Sequence, residues 1–401
     1  MLRAAMVLAV AVLGQALLWA RETKWVTVAD QQEVPEVIEA PPTANPQHAE
    51  NARSDDDAYD QCDGPRCGGG QRAGRLMGRP SNNDILFGNG NPYCPDAYYV
   101  PCWQVFGGYL FLRPGHEKVS YAVPVNGPDV PLRDAVPVQV GTEAVTDVKF
   151  CSGFRAGFTR ALSDCATLGA TYSYFDGTAE DAIHVAAPLV LHSQVRHQST
   201  QAAATDNLDA SASLGVLFQL ADIEYRRVLV CGDLSEVSGV LGVRYGHLRQ
   251  DFSSSFASVT TIESVASDIT FDGAGLRLGL EGEQHIYCSG LMVYGKTFAS
   301  FLGGTEQARY VQTDNFHGTV VNTGWNEDRI VSILDLELGV GWCSPGGRLR
   351  LTAGWLVSAW LNTINSGDFI RAVQNNSSNQ SKELSNAVTF DGLTSRLEFR
   401  F

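Results

Sequence analysis

The stretch Gly392-Leu-Thr-Ser-Arg-Leu-Glu-Phe-Arg-Phe401 decides the fold class. Successive side chains of an extended chain point to opposite faces. Leu393, Leu397, Phe399 and Phe401 then share one face, and Thr394, Arg396, Glu398 and Arg400 share the other. A half-buried strand of a soluble sheet alternates in the same way, but it gains nothing from ending on an aromatic residue. The closing strand of a transmembrane barrel does gain from it. Such a strand needs an apolar face for lipid, a polar face for a wet interior, and aromatic residues at the interface. Leu397, Phe399 and Phe401 are therefore expected to form the C-terminal insertion signature presented to barrel-assembly machinery.

The alternation recurs upstream. It runs through Trp103–Arg113, Phe150–Arg160, Ala166–Phe175, Ala212–Tyr225, Glu236–Arg249, Asp272–Glu283, Leu291–Phe301, Ile330–Trp342 and Arg348–Trp360, and closes with Val388–Phe401. In Asp272–Glu283, Ala274, Leu276, Leu278 and Leu280 oppose Gly275, Arg277, Gly279, Glu281 and Glu283. Segments of this length suit tilted strands that cross an outer membrane. Their polar faces supply Arg277, Glu281, Asp335, Glu337, Arg348, Arg350, Arg396 and Glu398 as candidate pore-lining residues. Charges at such regular spacing would be costly in a packed soluble core and suit a wet lumen.

The connections alternate long and short, as in barrels with external loops and periplasmic turns. Pro114–Lys149, Asp176–Asp209, Gln250–Phe271, Leu302–Arg329 and Asn362–Ala387 are the long ones, so Arg329 is expected in a loop. Val119–Val125 and Val136–Val140 could add a further pair to the ten strands. The expectation is thus an all-β, antiparallel, up-and-down transmembrane barrel of about 10–12 strands over residues 102–401. The count matters because diameter grows with strand number: ten leave a narrow interior that side chains can largely fill.

Met1–Ala20 reads as a secretory signal, with Arg3 before an apolar run and Ala20 at a plausible cleavage point. No later segment approaches the length of a transmembrane helix. Residues 21–101 lack sustained periodicity; Pro, Glu and Ala dominate Gln31–Glu50, and Gly68-Gly-Gly70 follows an acidic run. Such a stretch buries too little apolar surface to offset its ordering entropy and reads as a periplasmic linker of low order. The 401 residues carry a formal net charge of −15 with 18% charged residues. That acidity excludes nucleic acid, which selects basic surfaces; outer-membrane lipid is the expected partner.

An exported chain meets oxidising conditions, where disulfides are the default. Of the nine cysteines, Cys165, Cys231, Cys288 and Cys343 sit at or beside the four short turns, and Cys94 and Cys102 lie just before the first strand. These six are disulfide candidates, tying turns together, stapling the linker to the barrel, or joining copies into a homo-oligomer. An odd total leaves at least one thiol unpaired within a monomer. Cys62 and Cys67 lack the spacing and further ligands of a zinc site. His184, His192 and His197 share one expected external loop, which reads as solvated rather than metal-binding. No serine stands in a Gly-x-Ser-x-Gly turn after a strand, and no glycine pair precedes a helix as a phosphate loop does. Catalytic residues, cofactors and metals are not expected. Trp103, Tyr109, Tyr172, Tyr174, Tyr245, Trp342, Trp355 and Trp360 lie near strand ends and read as interface girdles.

Five runs carry a family resemblance: Gly153-Phe-Arg-Ala-Gly-Phe158, Asp222-Ile-Glu-Tyr-Arg-Arg227, Gly242-Val-Arg-Tyr-Gly-His-Leu-Arg-Gln-Asp-Phe252, Val340-Gly-Trp-Cys-Ser-Pro-Gly-Gly347 and Phe390-Asp-Gly-Leu393. Over about Gln104 to Phe401 the chain resembles the outer-membrane barrel family typified by the Legionella major outer membrane protein, and most of all its planctomycete members. The resemblance implies a pore-forming barrel without catalytic residues. Type members assemble through disulfides, and their cysteines do not map onto this chain. The expected function is passive passage of small polar solutes, with lumen charges setting selectivity. The alternative is a structural or adhesive surface barrel that anchors external loops without transport.

Overall fold

The computed structural model describes residues 102–127, 137–163, 165–197, 206–231, 234–286, 289–344, 347–375 and 384–401. The expected signal and linker, with Cys62, Cys67 and Cys94, lie outside the described residues, as does Cys288. The strands in chain order begin with β1 (Trp103–Gly115), β2 (Lys118–Asn126), β3 (Val138–Gln139), β4 (Ala144–Asp147), β5 (Cys151–Ser163), β6 (Ala166–His184) and β7 (Leu189–Ser193). They continue with β8 (Asp209–Cys231), β9 (Ser235–Ala257), β10 (Ile262–His285), β11 (Leu291–Asp314), β12 (Gly318–Cys343), β13 (Leu349–Thr363) and β14 (Asn386–Arg400). Helix α1 (Ser366–Gln374) lies between the last two.

Ten strands close a barrel in the order β1-β14-β13-β12-β11-β10-β9-β8-β6-β5. The neighbouring strands of this wall pair antiparallel. Trp103 and Phe401 exchange backbone hydrogen bonds of 2.8 and 2.9 Å, so the first and last strands meet at one end. The turns after β5, β8, β10 and β12 lie at that same end, which in outer-membrane barrels faces the periplasm.

The barrel is ten-stranded, not twelve. Val119–Val125 falls in β2 and Val138–Gln139 forms β3, but they join β4 and β7 in a separate small sheet. They cannot extend the wall, because β1 already pairs with β5 and β14 on its two edges.

The strands are also longer than expected. β10 and β11 each have 24 residues and β12 has 26. The expected external loops over 250–271 and 302–329 are therefore mostly strand, β6 runs on to His184 inside the expected loop over 176–209, and Arg329 sits inside β12 rather than before it. Only about nine to eleven tilted residues are needed to cross a bilayer. The remainder of each strand rises beyond it.

The outward face marks where the membrane ends. On β10, Leu276, Leu278 and Leu280 are exposed, whereas Asp272 and Asp268 point the same way further out along the strand. On β9 the change falls between Tyr245 and His247, on β12 between Ile330 and Asp328. Tyrosines cluster at this boundary and reach polar partners beside it. Tyr109 bonds Ser152, Tyr172 donates to Gln219, and Tyr245 donates to Asp272 at 2.7 Å. That is the amphipathic use of an aromatic ring at a membrane interface.

Beyond the boundary the barrel has a packed core. The small sheet and α1 fold into the outer half and contribute Tyr121, Leu191, Phe369 and Ile370. The wall contributes Phe252, Phe256, Ile269, Phe271 and Tyr310 to the same cluster. Buried polar contacts fasten this cap: Gln250 donates to Ile364 O and accepts from Ser366 N, and Tyr310 donates to Val195 O. Glu117, in the turn before β2, is buried beside Ser366 at the N-terminus of α1.

Candidate functional site: the closed interior of the barrel

The interior is built by the strand period. Residues of one parity on each strand face inward, and in the membrane half most of those are charged or small. Arg277 and Glu281 face inward from β10, Asp335 and Glu337 from β12, Arg350 from β13, and Arg396 and Glu398 from β14; all but Arg396 are buried. Arg348 does not join them. It lies in the turn before β13, exposed, where its carbonyl accepts from Arg400 N. The strand begins one residue later than the alternation suggested, so the side chain never enters the barrel.

The inward charges are bound to one another across the lumen. Arg244 takes Asp222 with two nitrogens, at 2.6 and 2.9 Å, and Asp335 at 2.8 Å. Arg277 bridges Glu224 at 2.7 Å and Asp335 at 3.0 Å, with its guanidinium 3.8 Å from the centre of the Phe298 ring. Arg226 holds Glu281, Arg350 holds Glu283 at 2.6 Å, and Arg155 reaches from β5 to Glu337 on β12 at 3.2 Å. Tyr294 donates to the other oxygen of Glu337 at 2.9 Å. Removing water from a carboxylate is costly unless such partners replace it.

Asp222, Glu224, Arg226, Arg244, Arg155, Lys296 and Glu283 are central to this network, and the charge count over the polar faces passed them over. Asp222, Glu224 and Arg226 stand at every second position of β8, so the same period would have found them.

Above the ion pairs lies a layer of rings. Phe218 of β8 packs 4.8 Å from Phe390 of β14 and 6.2 Å from Trp360 of β13, and Phe175 of β6 packs 5.6 Å from Phe390. These strands stand on opposite walls, so the layer crosses the interior. Trp360 is fully buried here and is not part of an interface girdle as its place near a strand end suggested.

Leu397, Phe399 and Phe401 face outward, at 38%, 53% and 62% exposure. Cys102 and Cys165 are each disulfide-bonded, Cys343 and Cys151 are free thiols, and Cys231 ends β8. His184, His192 and His197 do not share a loop: His184 ends β6 against Asp209, His192 lies in β7, and His197 is buried with its N–H donated to Gln312. Among the described residues there is no group of three or more His, Cys, Asp and Glu side chains that could hold a metal.

A closed antiparallel wall with a lipid-facing apolar band, aromatic boundary and charged interior defines an outer-membrane β-barrel. The chain belongs to the family described as Legionella pneumophila major outer membrane protein precursor, which matches residues 99–401. Its place is the outer membrane. No curated protein matches the chain. Among solved structures it is similar to the Escherichia coli outer membrane protease OmpT, at 10% identity over 75% of this chain and 96% of that one, TM-score 0.41. It is also similar to the P. putida toluene transporter TodX, at 9% identity over 77% and 91%, TM-score 0.27. A third is a major outer membrane protein from Thermus thermophilus, at 13% identity over 75% and 98%, TM-score 0.27.

Proposed function

We propose that this protein is a closed barrel that anchors a packed, cap-bearing outer half at the cell surface. The ring layer of Phe175, Phe218, Trp360 and Phe390 supports this most directly, since none of the four is more than 4% exposed. A water path through the barrel would have to displace these rings and then the cap beyond them. It would also have to break ion pairs that take up the charges facing the membrane half of the lumen. The strands that rise beyond the bilayer suit a display role: they carry the small sheet and α1 clear of the lipid on a rigid wall.

Single-channel conductance of the folded full-length chain in a planar bilayer tests the reading. The expected result is silence. Discrete, reproducible steps from the wild-type protein would overturn it. They would favour a second reading, a narrow passive pore for small polar solutes, which draws support from a polar cavity among Lys296, Glu281 and Glu337 at membrane level. In that case Glu281→Gln, Asp335→Asn and Glu337→Gln would change ion selectivity, whereas an anchor would keep its surface interactions.

A further inference from the structure

The membrane-level cavity measures about 50 Å³ and is lined by five basic and four acidic side chains. Two of the basic groups are held closely by carboxylates of the cavity: Arg226 meets Glu281 with two nitrogens, each at 3.0 Å, and Arg155 takes Glu337 at 3.2 Å. Two others are not. Lys296 stands in register between Glu281 on one neighbouring strand and Glu337 on the other. Yet the one carboxylate oxygen within reach, Glu281 Oε1, is 3.8 Å from Nζ, beyond a hydrogen bond. Arg396 gives one terminal nitrogen to Glu398 at 2.9 Å and lays its guanidinium 3.5 Å from the centre of the Phe106 ring. Its buried Nε–H has no acceptor among the described residues.

A buried cation with a donor that meets no acceptor is costly, and water can satisfy that donor but adds no counter-charge. A water molecule occupies about 10–15 Å³ of cavity measured in this way. The space therefore takes one small ion with a water or two, and excludes a sugar or a phosphate ester. We infer that this cavity binds one small inorganic anion, of halide or small-oxyanion size, between Lys296 Nζ and Arg396 Nε.

Thermal unfolding of the full-length chain in detergent tests this, comparing sodium chloride with sodium gluconate at equal ionic strength. Gluconate screens equally and is too large to enter. Chloride should raise the apparent Tm by about 2–4 °C, saturating with concentration, as a ligand of the folded state does. Lys296→Met should abolish the difference. Sodium nitrate as a third arm separates the two anion types: a larger shift than chloride indicates an oxyanion site, a smaller one a halide site. Crystals of the wild type grown in bromide give a readout that does not depend on the variant folding. Anomalous scattering beside Lys296 Nζ is the expected result. Equal Tm in chloride, nitrate and gluconate, or no bromide in the cavity, would overturn the proposal. A bromide peak with no Tm difference would mark an adventitious ion only and overturn it equally.

Discussion

The membrane half and the outer half of this barrel use the same strands and reverse their chemistry. On β10 the odd-numbered residues face inward throughout. In the outer half they include Val265, Ile269 and Phe271, with Glu263 and Ser267 among them; in the membrane half they include Arg277, Glu281 and Glu283. The even-numbered residues reverse with them, from Asp268 and Asp272 to Leu276, Leu278 and Leu280. The period of two never breaks. What changes is the solvent outside: water above the boundary, lipid below it. Where water surrounds the wall, apolar groups gain by turning inward. Where lipid surrounds it, inward burial gains little, and charges can only go to the lumen. Gly273 and Gly275 face Gly304 and Leu302 at this level. A Cβ at Gly275 would collide with the carbonyl of Phe301, and one at Gly304 with that of Asp272, so the two strands approach closely where the chemistry turns over.

The comparison breaks first if the outer half is not an ordinary hydrophobic core. Trp360→Ala should cost about 3–5 kcal/mol, as large aromatic truncations in packed cores do. Unfolding of the detergent-solubilised chain measures it. If the ring layer also seals the barrel, the same variant should show conductance steps that the wild type lacks.

The membrane half should answer differently. Arg244→Met leaves Asp222 and Asp335 buried beside each other without their shared partner, and should cost about 3–5 kcal/mol. Replacing the group together, as Arg244→Met with Asp222→Asn and Asp335→Asn, should recover much of that loss. A core deletion has no such rescue. Additive losses in the combined variant would show that these charges act independently and would sink the contrast.

The outward faces can be set against each other with one substitution. Leu278→Arg places a charge against lipid and should cost about 2–4 kcal/mol. Gln307→Arg, outward on β11 beyond the boundary, should change stability by less than about 0.5 kcal/mol. Equal costs at both positions would mean that the boundary is misplaced.

These reversals also explain what the amino-acid sequence disclosed. Leu393 to Phe401 and Leu276 to Leu280 show an apolar outward face against a charged one, and the membrane half is legible from them. The outer half of β10 has the same alternation with the phase inverted, so continuing the search for an apolar even-numbered face ends the strand at Asp272. On β9, Ser253-Ser254-Ser255 removes the contrast between faces altogether. Nearness to a strand end suggests an interface place for Trp360, but its parity sets it inward with Arg350 and Ser358. The pairings were hidden for another reason: Arg155 and Glu337 are 182 residues apart, and only closure of the barrel brings β5 opposite β12. The turn that leaves Arg348 outside depends on where β13 begins, which alternation alone does not fix.

The smallest effect is a pH dependence confined to the outer half. Burial pushes the Glu117 carboxyl well above its ordinary value; the backbone N–H of Ser366 opposes the rise and nearby Asp368 adds to it. An acid held protonated in the folded state costs nothing while the unfolded chain is also protonated. As pH rises past about 4.5 the unfolded chain releases its proton and the folded one does not, so the cap loses stability progressively up to the raised folded value. Glu117→Gln removes this titration without removing the side chain. Wild type and variant should unfold alike near pH 4.5, and the variant should hold the higher apparent Tm at pH 8. Other buried acids of the outer half remain in both proteins, so the difference between them reports Glu117 alone. A constant difference from pH 4.5 to pH 8 would mean that Glu117 does not titrate against the cap.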